Sequence, residues 1–233
     1  MKTFNTILLT ALIAGGLSGL VLGSIQQFSV VPMILEAETY ESGGDEGEET
    51  AHEAGDEEEA WGPEDGLERT LWTVFNSMLV GIGFGLLLTA CYAMRKKITW
   101  QYGILWGLAG FAAFHLAPAL GLPPELPGDA AAGLGQRQVW WILTVIVTAA
   151  GFWIIAFQPN RYLKLIGVAL LVLPHLFGAP QPERHGGLAP DELRNAFIAA
   201  TLITNAVFWI VLGILSALLY TRFGGNRESS AGG

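Results

Sequence analysis

The sequence predicts an all-α integral membrane protein whose six transmembrane helices form three repeated two-helix hairpins. Composition is the first reason: of 233 residues, 52% are apolar and 14% are charged, whereas about a quarter of a soluble domain is charged. The second reason is a series of six apolar segments. The third is a spacing of glycine and polar residues that recurs from one segment to the next. The protein is therefore expected to use the lipid bilayer as its solvent.

Each apolar segment approaches the roughly 20 residues that a helix needs to cross the hydrocarbon core. The six predicted spans, which make residues 1–221 a single membrane domain, are 5–25, 71–94, 102–121, 138–157, 162–179 and 196–220. The first resembles a signal peptide in following the basic Lys2, but its apolar character extends to Leu35 and favours a retained helix. The fifth is the shortest and contains Pro174.

Charge is distributed unevenly along the chain. The net charge of −9 comes from segment 36–68, which holds fifteen of the twenty-one acidic residues and no Lys or Arg. Low hydrophobicity and high charge predict that this acidic outer loop is partly disordered. With six spans, the opposite side carries eight basic residues: Lys2, Arg95, Lys96, Lys97, Arg161, Lys164, Arg222 and Arg227. Basic loops stay in the cytoplasm, so both termini and the tail 222–233 are predicted to be cytoplasmic.

The repeat rests on two spacings. In the odd-numbered spans a glycine precedes a polar residue by eight positions: Gly19 and Gln27, Gly107 and His115, Gly167 and His175. The even-numbered spans open on an arginine that a polar side chain follows after seven positions: Arg69 and Asn76, Arg137 and Thr144, Arg194 and Thr201. Self-similarity of this kind is the sign of a repeated unit, here an outward helix, an outer loop and a returning helix.

Two histidines are the strongest candidates for chemistry. A histidine within an apolar span commonly faces the bundle interior or an ion path, and neutral imidazole is a common ligand of Co, Ni, Cu and Zn. Because His115 and His175 occupy matching repeat positions, the sequence predicts that their rings converge on one metal or ion site. The alternative is that each forms an interhelical hydrogen bond that serves packing alone.

Acidic and amide side chains extend this candidate site. Carboxylates at an outer mouth would concentrate divalent cations, so the predicted metal ligands also include three acids where the odd spans emerge: Glu36, Glu125 and Glu183. Five further polar residues would line a pathway: Gln27, Asn76, Thr144, Thr201 and Asn205. The alternative is that the acids are solvated loop residues and that the others stabilise helix packing.

Several classes of function are excluded. There is no phosphate-binding glycine loop and no Ser/His/Asp arrangement, so we expect neither an enzyme nor a catalytic cofactor. Cys91 is the only cysteine, which excludes an internal disulfide and a thiolate zinc site. Nucleic acid is not an expected partner because no basic stripe is present to neutralise phosphates.

Five segments carry a resemblance to a known family: 26–40, 61–70, 107–128, 137–141 and 173–183. They include Trp61-Gly-Pro-Glu-Asp-Gly66, Gly107-Leu-Ala-Gly-Phe-Ala-Ala-Phe-His115-Leu-Ala-Pro118 and Leu173-Pro-His-Leu176. Over residues 5–221 the sequence is similar to the predicted cobalt transporter subunit (CbtA) family. The resemblance implies a bacterial inner-membrane protein, Co²⁺ as the transported ion, and a small one-span, His-bearing partner subunit. Relatives often have a His-rich first outer loop, whereas this one has only His52.

Two functions stay open, since a membrane enzyme that acts on a lipid or a cobalamin precursor would need a nucleophile or acid/base set, for which two histidines alone give thin support. The first is a membrane transporter subunit for uptake of a divalent transition metal, with cobalt foremost. The alternative is a non-transporting membrane subunit that binds or assembles with a larger membrane complex. Ligand type does not choose Co over Ni, because nitrogen and oxygen sites generally prefer Ni. The lipid bilayer is an expected partner, and the chain could also form an oligomer. The sequence does not choose between a channel and a carrier or identify the source of energy for transport.

Overall fold

The computed structural model describes residues 2–44, 66–95, 97–183 and 186–225. Within these ranges the chain forms helices joined by loops, apart from an isolated bridge between Asp129 and Gly187. The helices are α1 (Lys2–Ser29), α2 (Val31–Gly44), α3 (Leu67–Tyr92), α4 (Trp100–Phe111), α5 (Ala117–Ala119), α6 (Leu134–Phe157), α7 (Arg161–Phe177) and α8 (Asp191–Gly225). A π-helical turn, Ala112–Leu116, joins α4 to α5. The prediction of an all-helical protein is confirmed for the described residues.

Five helical stretches in the described part of the chain are long and apolar enough to cross a membrane: Thr3–Ser29, Leu67–Tyr92, Trp100–Ala119, Leu134–Phe157 and Asp191–Gly224. They correspond to five of the six predicted spans, and the chain is a multi-pass membrane protein. The fifth predicted span is α7, which has 17 residues. At 1.5 Å per residue it is about 25 Å long, against about 30 Å for the hydrocarbon core. The count of six spans is therefore not confirmed.

The first helix is longer than predicted, and the acidic segment begins as a helix. α1 runs to Ser29, and α2 follows after one residue and continues to Gly44. Val30 and Ala37 pack on Phe197 of α8, which attaches α2 to the body of the protein. The predicted disorder falls mainly on residues 45–65, which lie outside the described residues, as does most of the predicted tail.

Glycines bring the long helices into backbone contact in three antiparallel pairs. A Cβ atom at Gly19 of α1 would overlap the backbone of Ser77 in α3, and one at Gly107 of α4 would overlap the carbonyl oxygen of Trp209 in α8. The third pair is α6 and α7, where a Cβ at Gly151 would lie 2.7 Å from the carbonyl oxygen of Gly167. Small residues at such crossings are typical of helices that associate in lipid, where close packing replaces the hydrophobic effect.

These pairs do not match the predicted hairpins throughout. The first hairpin is present, because α1 packs along α3, but α4 packs most closely on α8 and α6 on α7. The second and third hairpins have therefore exchanged their returning helices, and the simple threefold repeat is not confirmed. The exchange has a local cause: the glycine face of α4 (Gly103 and Gly107) fits the backbone of α8 at Gly213 and Trp209.

The centre of the bundle is aromatic. Trp209 is fully buried, and Phe84, Phe114 and Phe208 surround it with ring centroids 4.6–6.3 Å from one another or from Trp209. Gly110 gives Trp209 its space, because a Cβ there would overlap the indole ring. Aromatic pairs at these separations add to the free energy of burial. The cluster also contacts His115, whose ring centroid lies 6.2 Å from that of Trp209.

Candidate functional site

A cavity of about 780 Å³ lies between the π-helical turn, the loop that follows α5, the start of α6, and α8. Its walls include the apolar residues Phe114, Pro118, Leu122, Trp141, Ile142 and Leu202. Its polar residues are His115, Glu125, Arg137, Gln138 and Thr201. Three of the predicted site residues, His115, Glu125 and Thr201, therefore meet in one place.

The π-helical turn sets the position of His115. Pro118 has no N–H group and so frees the carbonyl of the residue four positions before it, and at the same place the N–H of Ala117 donates to the carbonyl of Ala112. That longer hydrogen bond changes the register of the helix within the turn that contains His115. π-helical turns of this kind are frequent at functional sites.

His115 is held on α8 by a specific hydrogen bond. The indole Nε1–H of Trp209 donates to His115 Nδ1 at 3.1 Å, and Phe111 stacks on the imidazole with centroids 6.2 Å apart. Because an indole N–H can only donate, Nδ1 is the acceptor and a neutral His115 carries its proton on Nε2. His115 must therefore give up the Trp209 bond or the Nε2 proton before it can coordinate a metal.

Glu125 and Arg137 form an ion pair on the cavity wall, with roughly a quarter of each side chain exposed (26% and 29%). Burial raises the pKa of the Glu125 carboxyl, Arg137 opposes that rise, and the charge of Asp129 adds to it. The raised pKa means that Glu125 takes up a proton at higher pH than a solvated glutamate does. The Nε atom of Arg137 is buried and has no hydrogen-bond partner within the described residues.

All three arginines of the predicted repeat have acidic partners. Arg69 binds Glu38 of α2, with the shorter hydrogen bond at 2.6 Å, and Arg194 binds Asp129 at 2.9 Å. The sequence marked the arginines at the starts of the returning helices but not these pairings. Asp129 lies in the outer loop predicted for the second hairpin, whereas Arg194 opens the returning helix of the third. This pairing therefore follows the same exchange between hairpins as the helix packing.

The second histidine lies in a different setting. His175 packs edge-on against Trp140, with centroids 6.3 Å apart, and it does not line the cavity of His115. The predicted convergence of the two imidazoles is not found. Trp140 and Trp141 are consecutive in α6 and project in different directions, so Trp140 contacts His175 while Trp141 lines the cavity.

The remaining predicted residues are dispersed. Glu36, Glu183 and Asn76 are exposed. Gln27 Oε1 accepts a hydrogen bond from Thr70 at 3.2 Å, Asn205 donates to the carbonyl of Thr201, and Thr144 is buried with its hydroxyl unpaired within the described residues. No three His, Cys, Asp or Glu side chains of the described chain are grouped so as to hold a metal ion. The predicted set of ligands is therefore not assembled as one site.

Sequence reasoning missed Trp209 and Gln138 and treated Arg137 as a repeat marker. Arg137 had a signal in its recurring position at the start of a returning span. Trp209 had one too, because it lies fifteen residues after Arg194, as Phe84 lies fifteen after Arg69. A comparison with known families decides what kind of protein this cavity belongs to: the model described as "Probable cobalt transporter subunit (CbtA)" matches residues 4–221. The chain belongs to the CbtA family. The match covers nearly the whole chain and confirms the resemblance of the motifs.

Membership of the CbtA family accounts for the membrane character of the chain and supports a role in transport. No curated protein and no solved structure matched the chain. The cavity is thus characterised by its own residues, which in the described part of the chain are one imidazole, one ion-paired carboxylate, and a mostly apolar wall on the side where α6 and α8 begin.

Proposed function

We propose that this CbtA-family chain is a transporter subunit, not an enzyme, and that it admits a divalent transition metal, with Co²⁺ as its cargo. The observation that carries the proposal is the cavity that contains both His115 and Glu125 in a chain of a family described as probable cobalt transporter subunits. Imidazole nitrogen and carboxylate oxygen are donors that first-row divalent metals accept. Co²⁺ is then the transported species and not a resident cofactor.

The chain crosses the bacterial inner membrane six times in this proposal. Arg137 at the start of α6 and Arg194 at the start of α8 both pair with one loop, through Glu125 and Asp129. α6 and α8 therefore begin on the same side, and α7 has to return the chain between them. Local thinning of the bilayer accommodates a short helix at modest cost. The distribution of basic residues supports cytoplasmic termini, which leaves the cavity on the outer side.

We expect a reporter that is active only in the cytoplasm to be active when fused after Arg222. The reason is that six crossings bring the end of α8 back to the side of Lys2, where the basic loops collect. A paired fusion in the acidic segment, after Asp56, should be inactive. Activity of a periplasmic reporter at Arg222 would contradict the six-span topology.

Cargo would approach through the acidic outer surface. The exposed Glu36 and Glu183 would raise the local cation concentration, and Glu125 would receive the ion at the cavity before His115. One nitrogen and one carboxylate leave a Co²⁺ shell incomplete, so water or further protein ligands complete it. Thr201 lines the same cavity, and His175, Gln27, Asn76, Thr144 and Asn205 stay as predicted contributors to the pathway. A one-span, His-bearing subunit is the proposed partner.

Metal accumulation by cells that express this chain alone tests the proposal directly. Expected is Co²⁺ accumulation above that of cells carrying the empty vector, measured by elemental analysis. Competition by Ni²⁺ in the same assay ranks the two metals. If the chain accumulates no metal alone or with a partner subunit, the alternative of a non-transporting assembly subunit replaces this proposal.

Uptake should depend on pH through Glu125. Only an ionised carboxylate attracts the cation, and because the pKa of Glu125 is raised by burial, its charge is lost early as the pH falls. Co²⁺ uptake should therefore decline on the acid side at a pH above the usual range of a glutamate, about 4.3. Glu125→Gln should have lower uptake and lack this decline, whereas Glu36→Gln, at an exposed acid, should keep it. Identical pH profiles for Glu125→Gln and the unmodified chain would contradict the assignment.

A further inference from the structure

We propose that Arg137 is a specificity-determining residue that neutralises the Glu125 carboxylate as an internal counter-ion. Divalent cations displace Arg137 from this carboxylate, and monovalent cations do not. This inference rests on the proposed function, since it concerns how the same cavity selects its cargo. Arg137 extends from the first turn of α6, and its guanidinium Nη2 donates to Glu125 Oε2. The two opposite charges leave the charged lining of the cavity neutral.

Arg137 is bound less firmly than its two counterparts. Arg69 holds Glu38 through both Nη atoms. Arg194 donates to Asp129, to Asp191 and to the backbone carbonyl of Ala189. Arg137, in contrast, has one hydrogen bond within the described residues, and its Nε is buried without a partner there. It is also the only one of the three that lines the cavity. Arg137 is therefore the arginine that an incoming ion can displace.

Displacement depends on the charge of the ion. A monovalent cation that replaces Arg137 offers Glu125 the same charge that it already has, while the half-buried guanidinium is left unpaired. Removing one partner of a partly desolvated ion pair is costly, so that exchange is unfavourable. A divalent cation doubles the Coulomb attraction to the carboxylate at a given distance, and His115 offers it a second ligand. The pair thus admits divalent ions and resists Na⁺ and K⁺.

The test uses the purified full chain in detergent and compares Arg137→Gln with Arg69→Gln, which breaks a similar pair outside the cavity. Co²⁺ is titrated calorimetrically at equal ionic strength in Na⁺ and in choline, since both salts screen equally and only Na⁺ is small enough to compete. For the unmodified chain and Arg69→Gln we expect the same Co²⁺ affinity in both salts. Arg137→Gln should bind Co²⁺ about fivefold more tightly in choline, as expected from losing a partly exposed competing pair, and should lose that gain in Na⁺.

Two controls keep the inference open to refutation if Arg137→Gln is poorly folded. Arg137→Lys retains the positive charge and should have the same Co²⁺ affinity in Na⁺ and in choline. The second control is the comparison of the two salts on the unmodified chain, which needs no substitution. The inference is overturned if Na⁺ weakens Co²⁺ binding by the unmodified chain more than choline does. It is also overturned if folded Arg137→Gln has an unchanged or weaker Co²⁺ affinity in choline. If the unmodified chain and Arg137→Gln both fail to bind Co²⁺, and cells accumulate none, the proposed function fails as well.

Discussion

Replacing Gly107 with alanine is expected to destabilise the folded chain strongly. A single methyl group at this position would overlap the carbonyl oxygen of Trp209, which is main chain and cannot rotate away. α4 would have to move off α8, and the buried indole and its contacts with Phe84 and Phe114 would move with it. Overpacking of a tight contact costs about 1–3 kcal/mol and occasionally more. We expect the upper end here because backbone meets backbone.

The measurement is the yield of monodisperse protein on size-exclusion chromatography together with its thermal unfolding temperature. Gly83→Ala is the matched control: Gly83 also lies within a long helix, but a Cβ there would meet nothing within 4 Å. It should match the unmodified chain in yield and be as stable or slightly more so, because alanine favours a helix over glycine. Equal stability of Gly107→Ala and Gly83→Ala would show that α4 and α8 are not in backbone contact.

Replacing His115 with alanine is expected to reduce Co²⁺ uptake by about tenfold or more. Loss of even an outer-shell partner lowers the metal affinity of a site by about 10- to 100-fold, and among the described residues His115 is the only imidazole on the cavity wall. Alanine also removes the acceptor for the buried Nε1–H of Trp209, and an unpaired buried donor costs about 1–3 kcal/mol. Uptake must therefore be compared with the amount of folded protein in the membrane.

His115→Gln separates the two effects. A glutamine side chain offers an oxygen acceptor to Trp209 but no imidazole, so we expect near-normal folding with uptake still reduced. Full recovery of uptake in His115→Gln would assign His115 to packing. His175→Ala provides a second comparison, because His175 lies against Trp140 and away from the cavity. The losses of uptake in the two single variants should therefore add in the double variant. If both rings held one ion, the second substitution would reduce uptake little further.

The predicted positions that proved useful are those with a local physical cause. The motif that contains His115 and Pro118 is an example, because a proline three residues after a polar side chain disturbs the helix locally, and the structure has a π-helical turn there. The arginines at 69, 137 and 194 were predicted at the starts of returning helices, and each has an acidic partner. The helix break and the helix starts depend on residues within one or two turns of each other, so their positions can be read from the spacing. The acidic partners cannot be read in this way, because Glu38 is 31 residues from Arg69 and Asp129 is 65 residues from Arg194.

The convergence of His115 and His175 was expected from equivalence between repeats, and it was not found. Equivalent positions on two helices meet only if both helices pack on the same partner. Here α4 packs on α8 and α7 packs on α6, so the two histidines have different neighbours. For the same reason the sequence did not identify Trp209 as the partner of His115, since 94 residues separate them.

Composition and charge were enough to establish a multi-pass helical membrane protein, because the cost of placing charge and unpaired backbone in lipid acts on every residue of a span. The family was recognisable from motifs for a similar reason: they are short and contiguous. The packing partners of α4 and α6, the pairing of Arg194 with Asp129, and the neighbours of each histidine emerged from the folded chain alone. Lipid imposes no preference between two apolar helix faces, so the choice of partner depends on how small residues on one helix fit the backbone of another, and that fit is a property of three-dimensional shape.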